Sequence, residues 1–394
     1  MTNRQLFLQH VAQTSPEPLA LEIVKAKGCK LFTADHREIL DIIAGISVSN
    51  LGHSNEAVVA AVQEQAAAYM HLMVYGELVE TPQVQYARLL VEHLPDNLDT
   101  VYFTNSGAEA TEGAMKLAKR VTGRPNIIAF NKSYHGSTQG ALSLLGDEHW
   151  RNAFRPLLPG ICHFDYGSTD VLTAINSNTA AVFVEPVQAE SGVTVPPKGW
   201  LKALREACSA AGALLVVDEI QTGFGRTGAL WAFSGHGITP DILLLGKALG
   251  GGMPLGAFIS SHHLMNHLTH NPVLGHITTF GGHPVCCAAG KAAFGQLLQQ
   301  GLIEKATANV SSLVASLSHS SIRKINSCGA WAAIRFESFE VNRQVIQQCL
   351  AQGVLTDWFL FAPESLRIAP PLIISEQETQ LAARVINRAM ETVG

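Results

Sequence analysis

Apolar residues in this chain gather into short unbroken runs. Residues 101–103, 127–130, 181–184, 214–217, 242–245 and 256–259 do not alternate with polar neighbours, the pattern of strands covered on both faces. Helix-length amphipathic stretches separate them. The repeat predicts an α/β fold, a mainly parallel sheet with helices on both faces, over about residues 50–285. Residues 286–394 read as a smaller α+β domain: a helix from Cys287 to Gln300, a second over 303–318, a strand-like run at 330–336, a helix near 340–352 and an apolar stretch at 366–371. Residues 1–49 are expected to pack with that smaller domain, since 30–42 reads as two short strands around the turn Ala34-Asp35-His36. No internal repeat or low-complexity linker interrupts the pattern.

Open sheets of this kind bind ligands at the carboxyl ends of their strands. The chemically unusual residues fall there: Asn105-Ser106-Gly107 after the first run, Glu185-Pro186 after the third, Asp218 after the fourth and Lys247 after the fifth. Lys247 closes Ile242-Leu243-Leu244-Leu245-Gly246 and opens onto Ala248-Leu249-Gly250-Gly251-Gly252. An amine able to form a Schiff base and an acid able to hold a pyridine nitrogen protonated are what pyridoxal phosphate chemistry requires.

Composition narrows the field. The 394 residues carry a formal net charge of -5 with 15% charged residues, so no basic field invites nucleic acid or an anionic membrane. The seven cysteines form no CxxC pair and do not suggest a disulfide framework, which points to a reducing cytoplasm. No run of 18 apolar residues and no basic-then-apolar leader is present, so a soluble, cytoplasmic protein is expected.

Each motif also has a plainer reading. Asn105-Ser106-Gly107-Ala108-Glu109 before a helical apolar spacing offers free N–H groups to an anion, but Ser106 with Glu109 is also a capping box. Tyr134-His135-Gly136-Ser137 can place a ring at the same mouth, or serve only its loop. Asp218 directly follows an apolar run, where a carboxylate needs a cationic or strongly donating partner. Gly250-Gly251-Gly252 lacks the dinucleotide spacing. His262, His263, His267 and His270 include helical i, i+3 and i, i+4 pairs without a carboxylate or cysteine, so a surface helix is expected and no metal site.

Together these residues resemble the class III aminotransferases, pyridoxal phosphate enzymes of fold type I that include acetylornithine, ornithine, putrescine and 4-aminobutyrate aminotransferases. The resemblance runs through Ile46 to His53, Asn105 to Ala110, Tyr134-His135-Gly136, Glu185 to Gly192, Asp218 to Gly228, Pro240 to Gly256, Thr278 to Pro284 and Leu366 to Pro371. It implies a seven-stranded large-domain sheet and a homodimer with shared sites. Ser106, Gly107 and Ala108 would hold the cofactor phosphate, Tyr134 and Ile220 would cover the two ring faces, and Gln221 would meet the ring oxygen. Asp218 would pair with the pyridine nitrogen. Lys247 would carry the cofactor and shuttle a proton, and Thr279 would reach the phosphate in the neighbouring subunit. Glu190 and Arg367 match a gate in which the glutamate shields the arginine until a 2-oxo acid needs it; as residues alone they could be an ordinary ion pair.

The resemblance implies transfer of a terminal amino group from an ornithine- or acetylornithine-like donor to 2-oxoglutarate by a ping-pong route. One departure bears on the donor. Ornithine, acetylornithine and 4-aminobutyrate members carry, where this chain has Ser137, an arginine for a substrate carboxylate. Putrescine-type members lack it, which keeps a diamine open beside 4-aminobutyrate as the donor; Arg151 and Arg155 are the candidate replacements for the missing cation. A catalytically silent binding protein of the same fold is the remaining alternative.

Overall fold

The computed structural model describes every residue except Gln300 and Gly394. Its largest sheet has seven strands in the order Thr100–Thr104, Gly256–Ser260, Ile242–Leu245, Leu214–Asp218, Thr179–Val184, Asn126–Phe130 and Ile161–Phe164. The strands from Ile242–Leu245 to Ile161–Phe164 pair in parallel. Gly256–Ser260 is antiparallel to both its neighbours, so Thr100–Thr104 regains the common direction. The carboxyl ends that carry Asn105, Glu185, Asp218 and Lys247 therefore share one edge.

Every residue of Thr179–Val184, Ile242–Leu245 and Gly256–Ser260 is buried, which is why these runs do not alternate. Each fully buried Val, Leu or Ile contributes about 1.5–3 kcal/mol relative to exposure. The strand Ile161–Phe164 escaped the sequence reading because it lies at the sheet margin, half-buried and interrupted by polar residues.

The helix Gly107–Thr122 lies against this sheet through Ala110, Ala114, Leu117 and Ala118. Ser106 caps it by accepting from Glu109 N, and Gly123, at φ 67°, ends it in the left-handed conformation glycine tolerates. The expected capping box forms only in part: the Glu109 carboxylate accepts from Asn105 N and Nδ2 rather than from Ser106 N.

Two smaller sheets complete the fold. Ile23–Lys27, Lys30–Thr33 and Glu38–Asp41 form one with Val354–Leu355, which joins Glu38–Asp41 in parallel. Lys324–Ser327, Ala332–Arg335, Ala362–Ile368 and Trp358–Phe359 form the other. The helix expected from Cys287 runs Pro284–Gln299, its expected end Gln300 lying outside the described residues, as does Gly394 of the C-terminal unit. The next two helices are Leu302–Ala315 and Phe339–Ala351. Glu376–Val393 was not anticipated; its buried stripe mixes Ala382, Ala383 and Ala389 with Thr379, Val385, Ile386 and Met390. No described helix is long and apolar enough to cross a membrane.

Candidate active site

A cavity of about 490 Å³ opens at the shared strand edge, lined by Gly107, Ala108, Tyr134, Ser137, Glu185, Asp218, Ile220, Gln221 and Lys247 among others. Its size falls within the roughly 300–1,000 Å³ of small-molecule sites. Most of the residues singled out from the sequence thus meet in one place. Lys247 stands two residues past the end of the strand Ile242–Leu245, in a left-handed conformation, φ 49°, strained for a side chain with a Cβ. Its Nζ donates to Gln221 Oε1 at 2.5 Å. Burial lowers the pKa of this amine, Arg367 acts in the same direction, and Glu190, Asp218 and Glu185 oppose them.

Asp218 is 4% exposed and held at both oxygens: Oδ1 accepts from Ile220 N at 2.9 Å, and His135 Nδ1 lies 2.6 Å from Oδ2. The sequence reading left His135 without a role, although its motif was quoted; a histidine one residue from Tyr134 gave no sign that it would face Asp218. His135 is in turn fixed by its carbonyl, which accepts from the Thr111 hydroxyl at 2.9 Å. Glu185, expected at this edge from its strand end, is buried and lines the same cavity as the lysine. Burial and then the nearby Asp218 push its carboxyl well up, and its Oε2 has no hydrogen-bond partner among the described residues.

Ser106 stands just outside the cavity wall as the helix cap, with Gly107 and Ala108 in the first turn, where backbone N–H groups have no intrahelical partner. Gly107 is needed here: a Cβ would stand 2.7 Å from Ile220 Cδ1. Thr279 is exposed and does not line the cavity of its own chain.

Beyond Gln221 the polar chain continues. Gln221 Nε2 lies 3.4 Å from Glu190 Oε1, and Arg367 donates from Nη1 to Glu190 Oε1 and from Nη2 to Oε2, both at 2.9 Å. Burial pushes the Glu190 carboxyl up, but the Arg367 charge and hydrogen bonds and the Leu360 N–H more than reverse this, leaving it at about 2.

At Ser137 the hydroxyl pairs with Tyr134 Oη at 2.9 Å. The candidate replacements for an arginine, Arg151 and Arg155, are not among the cavity's lining residues; both pair with Glu148, and Arg151 also donates to Leu145 O. Of the histidine group, His263, His267 and His270 follow one another at 6.0 and 6.1 Å between rings. No cluster of three metal-ligating side chains occurs among the described residues.

A family model for class III aminotransferases matches residues 11–390. The chain belongs to the class III aminotransferases. This class III aminotransferase is 37% identical over 390 residues to an acetylornithine aminotransferase of Methanopyrus kandleri, covering 98% of this chain and 97% of that one. It is 39% identical over 381 residues to one from Streptomyces coelicolor, covering 94% and 92%. Among solved structures, the ornithine aminotransferase of Toxoplasma gondii superposes with a TM-score of 0.91 at 31% identity, covering 99% of this chain and 93% of that one. The fold is that of the pyridoxal phosphate-dependent transaminases. As a member of the class, the protein is a transaminase that uses pyridoxal phosphate. Its residues fit that group: an open helix start for a phosphate, a glycine pressed against Ile220, a buried carboxylate pair and an amine of lowered pKa converge on one cavity.

Proposed function

We propose that this transaminase moves a terminal amino group from an ornithine- or acetylornithine-like donor to 2-oxoglutarate by a ping-pong route. The observation that carries the reading is the unbroken polar chain Lys247–Gln221–Glu190–Arg367, which joins the reactive amine to a masked guanidinium. Lys247 would be the amine that carries the cofactor, and its Nζ, once released, would take the proton from the donor carbon. Asp218, oriented by His135, would hold the pyridine nitrogen, and Gln221 would hold the ring oxygen. Ser106, Gly107 and Ala108 would hold the phosphate, and Tyr134 and Ile220 would enclose the ring. When bound, the cofactor supplies the electron sink.

The gate follows from pairing. A guanidinium open to the cavity would attract any carboxylate, so Glu190 occupies it while the amine donor reacts and gives way to the oxo acid. In the homodimer of this reading, Thr279 of each chain serves the phosphate of the other site. Support comes from a surface band of exposed apolar side chains, Met70, Leu72, Val79, Ile277 and Phe280, joined where His71 and Phe280 rings meet at 4.6 Å. A cytoplasmic location accords with the unpaired cysteines.

One observation favours a second donor class. With Ser137 tied to Tyr134 and Arg151 and Arg155 tied to Glu148, no arginine stands at the position that holds a donor carboxylate in ornithine-type members. A diamine such as putrescine meets no such requirement, whereas 4-aminobutyrate carries a carboxylate as ornithine does. The reading is tested by reconstituting the wild type and Lys247→Ala with the cofactor. Wild type is expected to gain visible-violet absorbance and the variant to lack it and to be inactive; equal spectra and activity would remove Lys247 from its role.

A further inference from the structure

Arg367, 2% exposed, is held by more than the gate. Its Nε donates to Asp357 Oδ1 at 2.8 Å, and Nη2 donates to Trp358 O at 2.9 Å. The Phe359 ring packs against the guanidinium, 4.3 Å from centroid to Cζ. One edge of the guanidinium, Nε with Nη2, is thus tied to residues 357–358. The other, Nη1 with Nη2, is given to Glu190. The same short segment also grips the glutamate: Leu360 N donates to Glu190 Oε2 at 3.0 Å and Phe361 N to Glu190 O at 2.9 Å.

This arrangement bears on the exchange of Glu190 for a substrate carboxylate. A buried guanidinium stripped of its only counter-charge is strongly disfavoured, and a long side chain released from its partner loses its direction. Asp357 removes both difficulties. While Glu190 is away, Arg367 keeps one counter-charge and two hydrogen bonds on its inner edge, and its outer edge still points where Glu190 stood.

We propose that Asp357 is a positioning residue that fixes the plane of Arg367, so that a substrate carboxylate replaces Glu190 on Nη1, Nη2 and the Leu360 N–H without the arginine turning. The proposal rests on the gate reading above and assigns the anchor that the gate requires. Asp357 itself does not touch substrate.

Glutarate, a dicarboxylate that cannot be aminated, separates binding from turnover. Its affinity for the holoenzyme is measured by titration calorimetry in wild type, Asp357→Ala, Asp357→Asn and Arg367→Ala, beside the KM for 2-oxoglutarate. Asp357→Ala is expected to weaken glutarate by about 10-fold or more, the scale of a lost hydrogen bond to a charged group. KM for 2-oxoglutarate should rise in step, with little change in the amine half-reaction. Asp357→Asn keeps an acceptor for Nε and should recover most of the loss, which a merely structural defect would not. Wild-type affinity in Asp357→Ala, or equal losses in the two Asp357 variants, would overturn the positioning role. If Arg367→Ala binds glutarate as wild type does, the gate itself fails; if it loses glutarate while Asp357→Ala does not, the gate stands and this proposal falls.

Discussion

Arg226 is the buried cation most exposed to test by substitution. Its side chain is 0% exposed and no carboxylate pairs with it; Nη1 donates to Ala330 O at 2.9 Å and to Pro370 O at 2.7 Å, and Nη2 to Asn50 Oδ1 at 2.7 Å. Burial pushes its pKa down to about 9, partly countered by Asp41. One side chain therefore ties the loop after the Asp218 strand to residue 50, to residue 330 and to the segment three residues beyond Arg367. In Arg226→Met three acceptors lose their donor, each costing about 1–3 kcal/mol when left unsatisfied in the interior. Relief of the buried charge offsets part of this, leaving a net loss of about 3 kcal/mol. At roughly 2–4 °C per kcal/mol, the melting temperature of the holoenzyme should fall by about 6–12 °C in a thermal scan at fixed rate and cofactor concentration. Arg226→Lys, which keeps the charge but cannot span three acceptors, should fall between. A methionine variant within about 1 kcal/mol of wild type would refute the argument that these hydrogen bonds outweigh the cost of burying the charge.

Other substitutions address the site. In Gly256→Ala the added Cβ runs into the backbone carbonyl of Ser106, the residue whose hydroxyl caps the phosphate-side helix, so cofactor affinity in equilibrium dialysis should drop while a Gly235→Ala control, at a position with open space, should not change it. Ser137→Arg should lower KM for acetylornithine relative to putrescine by about 10-fold or more, the scale of a charge-assisted carboxylate pair; an unchanged ratio in steady-state assays would show that residue 137 does not meet the donor. The pH dependence follows from Asp357, whose carboxyl burial pushes up to about 6, with Glu190 and Asp41 adding and Arg367 opposing. Protonation removes the charge but leaves Nε a carbonyl acceptor, as Asp357→Asn does, so KM for 2-oxoglutarate should be flat above that value and rise by no more than it does in Asp357→Asn as pH falls through it. Glu190, held at about 2, stays ionised throughout, and a KM that rises instead with increasing pH would contradict this assignment.

Strand runs buried on both faces were legible because nothing polar interrupts them, and the residues at their ends were legible because a carboxylate or amine directly after five apolar residues needs a reason. Ile161–Phe164 was not, since a margin strand with Cys162 and His163 carries neither signature. Within the site, the groups that follow a strand end, Glu185 among them, were legible as neighbours, whereas the roles of His135 and Asp357 were not. Each works through contact with a distant residue, His135 with Asp218 and Asp357 with Arg367, and a pairing set by tertiary packing leaves no local spacing to read. The same limit applied to Arg151 and Arg155, both nearby in sequence to Ser137 and both committed to Glu148.

The donor is decided most directly by single half-reactions. The cofactor-loaded enzyme is mixed separately with acetylornithine, ornithine, putrescine, 4-aminobutyrate and lysine, without any oxo acid, and the visible absorbance of the cofactor is followed. Loss of that absorbance with at least one terminal amine, and its return on adding 2-oxoglutarate, is the expected result. Absorbance unmoved by all five but removed by an amino acid that bears only an α-amine would contradict terminal-amine transfer.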